Sequence, residues 1–380
     1  MFERSTHREE LLAAADRLAG QVTGDAAEAE REGKLTAAVD AGLRDARLYD
    51  AFLPKELGGL GVDPLTLIEI AERVTASDGS AGWCLGTSGM ISGFAATRLP
   101  EAGAREIFTA GQSIVLAGGY VPRCRVAVVA GGYRVSGRMP FASGCRNADA
   151  LVVTGLVDGV EGPNAMRSCV VAPSEVTILD NWQVAGLEGT SSNDLELDDV
   201  FVPQSRSFAP FVDAPLRGAA EWRAPLLAFA AVPHLGFALG VARHALEEIA
   251  AHAGRQRIGS AAAIAERPVF QRDYGRARVR LRAARLAAFA AFEDVMSARG
   301  EASLEERAEL AAAIAHSYAT ATETSEFAFR AGGATSLYRT SALQRCFRDA
   351  QAGAQHIVAS DEAFERAGRV FLGGGDPGFI

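Results

Sequence analysis

The chain has 380 residues, 48% hydrophobic and 22% charged, and its apolar content is enough to offset the ordering entropy that keeps disordered chains open. At roughly 100–200 residues per domain this length predicts two or three domains, and the formal net charge of −9 argues against the basic, phosphate-tracking surface that nucleic acid requires. Five scattered cysteines (Cys84, Cys124, Cys145, Cys169, Cys346) show no CxxC or CxxH spacing, which excludes a zinc site or disulfide framework and points to a reducing cytoplasm.

The charged N-terminus, MFERSTHREE, has no apolar core of the kind a secretory signal needs. Leu11, Leu12, Ala15, Leu18 and Val22 then recur at helical spacing, and Ala38, Val39 and Leu43 predict a second helix ending near Arg47. A breaker-rich loop, PKELGGLG at 54–61, precedes Pro64 at the start of a helix carrying Leu65, Ile68, Ile70 and Val74. A Gly/Ser-rich helix over 80–96 follows. From 114 the period shortens, and seven β-branched runs (114–121, 125–129, 133–137, 151–156, 168–171, 177–179 and 195–202) are parted by turn residues, with Ala130-Gly131-Gly132 as a hairpin turn. After Pro215 the pattern predicts helices over 224–252, 268–299, 304–331 and 341–372, each long enough to be one member of an antiparallel bundle. The layout is an N-terminal helical domain (1–113), a central β domain (114–215) and a C-terminal four-helix bundle (216–380).

The uncharged run at 224–242, APLLAFAAVPHLGFALGVA, is long enough to span a membrane, but Pro233, His234, Gly236 and Gly240 interrupt it and favour a buried bundle helix. The arginines of the next helix (Arg272, Arg276, Arg278, Arg280, Arg282 and Arg285) read as an ionic face that can pair with Glu301, Glu305, Glu306 and Glu309. There is no dinucleotide-binding G-x-G-x-x-G after a strand, no P-loop, no G-x-S-x-G elbow and no H-E-x-x-H, and the six histidines are scattered singly. An organic cofactor is therefore the expected source of chemistry, with no metal.

Four strings in order, PKELGGLG at 54–61, GYRVSG at 132–137, GLEGTSSND at 186–194 with Val202-Pro203 after it, and RCFRDA at 345–350, resemble the acyl-CoA dehydrogenase superfamily over nearly the whole chain. The resemblance implies an α+β fold with an N-terminal all-helical domain, a central antiparallel β-barrel or sandwich and a C-terminal four-helix bundle. The dehydrogenases of that superfamily carry a catalytic Glu shortly after the Arg-Asp pair, where this chain has His356 and Ile357, and residues 224–242 hold no Asp or Glu to replace it. Without a positioned base, abstraction of a proton next to a thioester lacks its main participant.

A His at that place, with FASGCRNAD at 141–149 and DGSAGW at 78–83, resembles instead the oxygenase components of two-component flavin-dependent monooxygenases. That likeness implies reduced flavin (FMNH2 or FADH2) and O2 as cofactors, and hydroxylation of a small organic, aromatic or natural-product substrate through a C4a-hydroperoxyflavin. It also implies a separate NAD(P)H:flavin reductase as partner and a homotetramer, with neither nucleic acid nor a membrane involved. By the same resemblance Ser143 supplies a hydroxyl near flavin N5, His356 handles a proton beside flavin and substrate, Thr190 and Ser191 hold the flavin, and Arg255 or Arg257 meets its phosphate. Trp83 and Met90 line the substrate pocket, Met90 standing where many phenol hydroxylases of this group carry a His. The other readings are a dehydrogenase or oxidase, an amino-group N-oxygenase, and a flavin-free binding scaffold on the same fold.

Overall fold

In the computed structural model, residues 4–109, 111–218, 226–256, 262–298 and 301–375 are described. The N-terminal part is helical. Helix α1 (Arg8–Glu32) buries Leu11, Leu12, Ala15, Val22, Ala26 and Ala29 and ends at Gly33, whose left-handed backbone (φ 65°) returns its N–H to Ala29 O. Helix α2 (Ala37–Asp45) is capped by Thr36, and α3 (Pro64–Thr75) by Asp63, with Pro64 at the first helical position where its missing N–H costs nothing.

Helix α4 (Gly79–Arg98) starts at Asp78, whose side chain accepts from Ala81 N–H, and is buried along nearly its whole length. Three glycines let its neighbours in: Gly82 lies against Thr75, Gly86 against Pro233 and Gly89 against the ring of Phe52. Glycine weakens a helix interior by roughly 0.5–1 kcal/mol, and here that loss accompanies direct contact with α3 and with the central helix of the bundle. A short α5 (Glu101–Ile107), which the residue pattern does not announce, completes this part.

The central part is one eight-stranded sheet. Strands β1 (Leu116–Gly118), β2 (Cys124–Val129), β3 (Gly132–Met139), β4 (Ala150–Val157), β5 (Met166–Val171), β6 (Thr177–Ile178), β7 (Leu195–Pro203) and β8 (Ser207–Phe208) run in the order β6-β7-β3-β2-β4-β5-β8, with β1 also on β4. The expected hairpin joins β2 and β3 in register Val129↔Gly132. The sheet is mixed, which corrects the expected antiparallel domain: β1 and β2 both run parallel to β4, pairing with its first and second halves (Leu116↔Ala150, Val126↔Val157). Its inner face is a separate apolar cluster around Val126, Val135, Leu151, Val153, Val171, Leu195 and Leu197.

The bundle is built from α6 (Leu226–His252), α7 (Pro268–Ser297), α8 (Leu304–Gly332, capped by the Ser303–Glu306 box), α9 (Ala342–Gly353) and α10 (Glu362–Phe371). Helix α6 is the axis of the molecule and touches α3, α4, α7, α8 and α9. Its uncharged run is a small-residue seam, with Pro233 on Gly86, Gly236 on Ala71 and Gly240 on Thr75. Among the described residues no helix is long and apolar enough to cross a membrane.

Two expectations change. The final helix, expected over 341–372, is broken: α9 stops at Gly353, where the chain presses on the Phe237 ring, and a 3-10 turn (Ile357–Ala359) separates it from α10. The arginines of α7 also find other partners, Arg280 pairing with Glu323 on α8 at 2.6 Å and Arg285 with Glu72 and Glu69 on α3 at 2.9 and 3.3 Å. The two acids on α3 are buried, and Arg285, Arg4 and Arg8 converge on Glu69, whose carboxyl is held below its usual range by that cluster in spite of its burial.

Candidate active site

The site forms where α4, the β3–β4 connection, the 186–194 turn, α6 and the break after α9 meet. After β3 the chain turns through Phe141 (φ 59°) and Gly144 (φ 81°), a left-handed excursion that lifts Ser143 out of the sheet. Ser143 is 8% exposed. Its Oγ accepts from Trp83 Nε1–H at 3.0 Å and lies 2.7 Å from Ser192 Oγ, which is 2.7 Å from Thr190 Oγ1, which in turn donates to Leu187 O at 2.8 Å.

A carbonyl can only accept, so the chain of hydroxyls has one direction. Thr190 donates to Leu187 O, Ser192 to Thr190 and Ser143 to Ser192, with Trp83 feeding the chain from behind. Such chains polarise one another. Ser143 has given away its proton and has used one lone pair on Trp83, so its second lone pair is open to an incoming N–H.

The turn carrying these hydroxyls is strained, since Leu187 (φ 55°) and Ser191 (φ 42°) are left-handed non-glycine residues. What holds it is the Arg-Asp string. The Asp349 carboxyl oxygen accepts from Leu187 N–H at 2.6 Å, Arg348 pairs with Glu188 and Glu30, and Gly186 packs so closely on Arg348 O that a side chain there has no room. Burial and the neighbouring Asp78 push the Asp349 carboxyl up to about 8, against the pull of the Leu187 N–H and Arg348.

The opposite wall is aromatic. Trp83 meets His234 and Phe237 of α6 edge-on (centroids 5.5 and 5.0 Å) and His356 at 6.3 Å. The rings of His234 and His356 are 4.1 Å apart, and His234 Nδ1 is 2.7 Å from the hydroxyl of Tyr318 on α8. His356 stands in the break after α9, with Nδ1 accepting weakly from Val358 N–H at 3.4 Å. It keeps surface open to solvent, yet the dense protein around it drives its pKa down to about 4, so the ring is neutral. Burial, and then the nearby His356, hold His234 well below the usual histidine value.

Of the residues expected at the site, Trp83, Ser143, Thr190 and His356 are brought together here. Ser191 is buried in the same turn, but its Oγ accepts from Arg146 N–H at 3.3 Å, and Ser192 joins Ser143 instead. Met90 is buried on α4, two turns beyond Trp83. Arg255 is exposed just past α6, and Arg257 lies outside the described residues. Sequence reasoning missed Ser192, although it lies inside the GTSSN string. It also missed His234 as a site residue, reading it only as an interruption of the apolar run at 224–242, and Tyr318 and Phe237, which carry no signal of their own. Among the described residues no group of three or more His, Cys, Asp or Glu could hold a metal ion.

Residues 233–361 match the family model described as acyl-CoA dehydrogenase, C-terminal domain. The chain is 33% identical over 334 residues to an indole-3-acetate monooxygenase of Pseudomonas putida, covering 86% of this chain and 84% of that one. It is also 33% identical over 200 residues to the oxygenase component of a FADH2-dependent resorcinol hydroxylase of Rhizobium, covering 50% and 48% of the two chains. The crystal structure of the HsaA monooxygenase from M. tuberculosis superposes with a TM-score of 0.87 at 26% identity, over 97% of this chain and 98% of that one. A His in place of the dehydrogenase carboxylate, a hydroxyl relay facing it and these relatives agree: the chain belongs to the flavin-dependent monooxygenases built on the acyl-CoA dehydrogenase fold, enzymes that work with reduced flavin.

Proposed function

We propose that the protein is the oxygenase component of a two-component system, receiving reduced flavin from a separate NAD(P)H:flavin reductase and oxygenating a small bicyclic aromatic acid of the indole-acetate type. The observation that carries this reading is the facing pair Ser143 and His356 across Trp83. The donor set fits the cofactor: a reduced flavin bears an N–H at N5, and Ser143 is the hydroxyl whose remaining lone pair accepts one. The exposed Phe141 ring and the strained 187–191 turn flank that hydroxyl.

Reduced flavin, when bound, supplies the two electrons that, with two protons, divide O2 into an oxygen atom for the substrate and a molecule of water. The protein's share is positioning, exclusion of water and proton handling. Ser143 fixes the ring edge, and Thr190 and Ser192 hold Ser143. The wall of Trp83, Phe237 and His234 keeps water from the face where oxygen is transferred. His356, neutral in the resting site, takes the proton the substrate sheds. Its Nδ1 is available for this because the 3.4 Å contact with Val358 is too long to hold it.

Arg98 is a buried cation at the C-terminal end of α4. It is 7% exposed, its guanidinium lies 3.6 Å from the centroid of Phe94, its Nε has no hydrogen-bond partner, and no carboxylate pairs with it among the described residues. Burial lowers its pKa to about 10. It stands at the far end of α4, about 22 Å of helix beyond Trp83, and so outside the reach of a small substrate held at His356. Methionine in place of the phenol hydroxylases' histidine suits a ring without a phenolic hydroxyl.

We also propose a homotetramer. Helix α7 exposes Val279 and Leu286 one heptad apart, and the chain end exposes Phe371 and Leu372. Arg255 adjoins a cleft between α7 and α8, its O accepting from Ile264 N–H at 3.1 Å, and is the phosphate contact for flavin of a neighbouring copy.

Supplied with a flavin reductase, NADH and indole-3-acetate, the enzyme should form oxygenated product in near-stoichiometric ratio to flavin reoxidised. Release of hydrogen peroxide alone, with every indole and phenol offered, would sink this reading.

A further inference from the structure

The phenol hydroxylases' second imidazole, absent from α4 here, has a counterpart on α6. His234 is 4% exposed, and its one hydrogen bond among the described residues is Nδ1 to Tyr318 OH at 2.7 Å. The phenol fixes which nitrogen carries the proton. Tyr318 is 1% exposed, and burial raises its pKa well above 10, so its hydroxyl keeps its proton. That proton has no other acceptor among the described residues. If His234 donated from Nδ1, a buried O–H would be left unsatisfied at a cost of about 1–3 kcal/mol. Tyr318 therefore donates to Nδ1, and the neutral ring of His234 carries its hydrogen on Nε2.

That Nε2–H is unspent, and because Nε2 is not among the fully buried atoms left without a partner it opens into the site, where it escapes the cost that an orphaned Tyr318 O–H would carry. It lies on the ring that packs against His356 at 4.1 Å and against the Trp83 edge at 5.5 Å, with Trp83 itself bonded to Ser143. The groups facing His234 are Tyr318 from α8, Trp83 from α4, Phe237 on its own helix and His356 from the break after α9. None is an anion, and no carboxylate competes for the proton.

We propose that His234, its tautomer locked by Tyr318, is a second active-site imidazole that donates Nε2–H to the oxygen atom the substrate acquires, while His356 handles the mobile proton. A fixed donor aimed at charge that develops only during reaction lowers the barrier more than it tightens substrate binding. The division of labour follows from partners: the imidazole with a phenol behind it keeps one protonation state, and the imidazole with a weak backbone contact and open surface exchanges protons. The proposal rests on the Ser143–His356 reading of the site.

The test compares His234→Gln, whose amide N–H2 can occupy the Nε2 position, with His234→Phe, which keeps the ring and lacks the donor, and with Tyr318→Phe. Turnover by His234→Phe should be slower by about 10²–10³-fold with KM changed by less than about threefold, the range for one lost donor at a developing oxyanion. His234→Gln should recover at least about tenfold of that loss, and reduced-flavin affinity should stay the same in all three. In the flavin-free protein, nitrogen-15 NMR of the imidazoles should show His234 as the neutral Nε2–H tautomer, and Tyr318→Phe should convert it to a mixture. Equal losses for His234→Gln and His234→Phe, or an Nδ1–H tautomer in the native protein, would overturn the proposal. If His356→Ala abolishes coupled turnover while His234→Phe leaves it intact, the donor role fails and the site reading stands. If neither matters, the site reading itself fails.

Discussion

The hydroxyl of Ser143 and the imidazole of His356 do opposite things with protons, and their surroundings explain why. Ser143 is fixed: it accepts from Trp83 and donates into the Ser192–Thr190–Leu187 chain. His356 is exchangeable, held by a long contact and open to solvent. Because the protein packed around the ring strips water from it and favours the neutral form, although an edge stays exposed, the base remains available until the pH falls to about 4 instead of the 6.5 of a free histidine. The sign for stability follows: between those values the unfolded chain binds a proton at this residue and the native chain does not, so its contribution to stability falls as the pH is lowered through that window. The acid limb of kcat/KM for hydroxylation should accordingly lie nearer pH 4 than pH 6.5, measured in pH-jump assays on protein kept folded. A limb at the free-histidine value that disappears in His356→Gln would contradict this environment. His356→Ala should lower product formation by about 10²–10⁴-fold, the usual size of a general base, with reduced-flavin affinity changed far less.

At the scale of elements, the 186–194 turn and α9 behave as one unit although Leu187 and Asp349 are 162 residues apart. The turn adopts two left-handed non-glycine positions that its own sequence disfavours, and the carboxylate, the Arg348 ion pairs and the tight Gly186 contact over-determine it. Asp349→Ala removes the acceptor from a buried N–H and should cost about 1–3 kcal/mol in urea unfolding. It should also weaken reduced-flavin binding, with Asp349→Asn milder on both counts. If Asp349→Ala binds flavin as tightly as wild type, the turn does not shape the site. The same elements mark the boundary of what can be read in the residues. Ser143 and His356 were legible because each stands in a short string with a fixed neighbour, the FASGCRNAD turn and the Arg-Asp pair. The break at 353–362 was not, because Gly353 is the lone breaker in GAQHIVASDE and no proline follows it, and the Phe237 ring on which Gly353 packs lies on another helix. His234 was hidden for a related reason: its role depends on Tyr318, which comes near only when α6 and α8 pack. The parallel pairing of β1 and β2 with β4 was equally invisible, since β-branched runs give the strands but not their neighbours.

Across the whole molecule, α6 ties the parts together, seated on α3 and α4 through residues small enough to let helices meet. Among the exposed apolar surfaces of the described residues are the outer face of α7 and residues 371–372. Light scattering should give a mass of about four times the 39.9 kDa chain. The double variant Val279→Glu/Leu286→Glu should yield a smaller species with weaker reduced-flavin affinity, and a wild-type monomer would refute the assembly. The long reach from Asp349 back to Leu187 also fixes when, during synthesis, this enzyme can begin to work. A nascent chain that has made the whole sheet and α6 to α8 already carries Ser143, Trp83 and His234, but neither the acid that shapes the turn nor His356 has yet left the ribosome. The two residues arrive together, within one short stretch, after the other residues of the site.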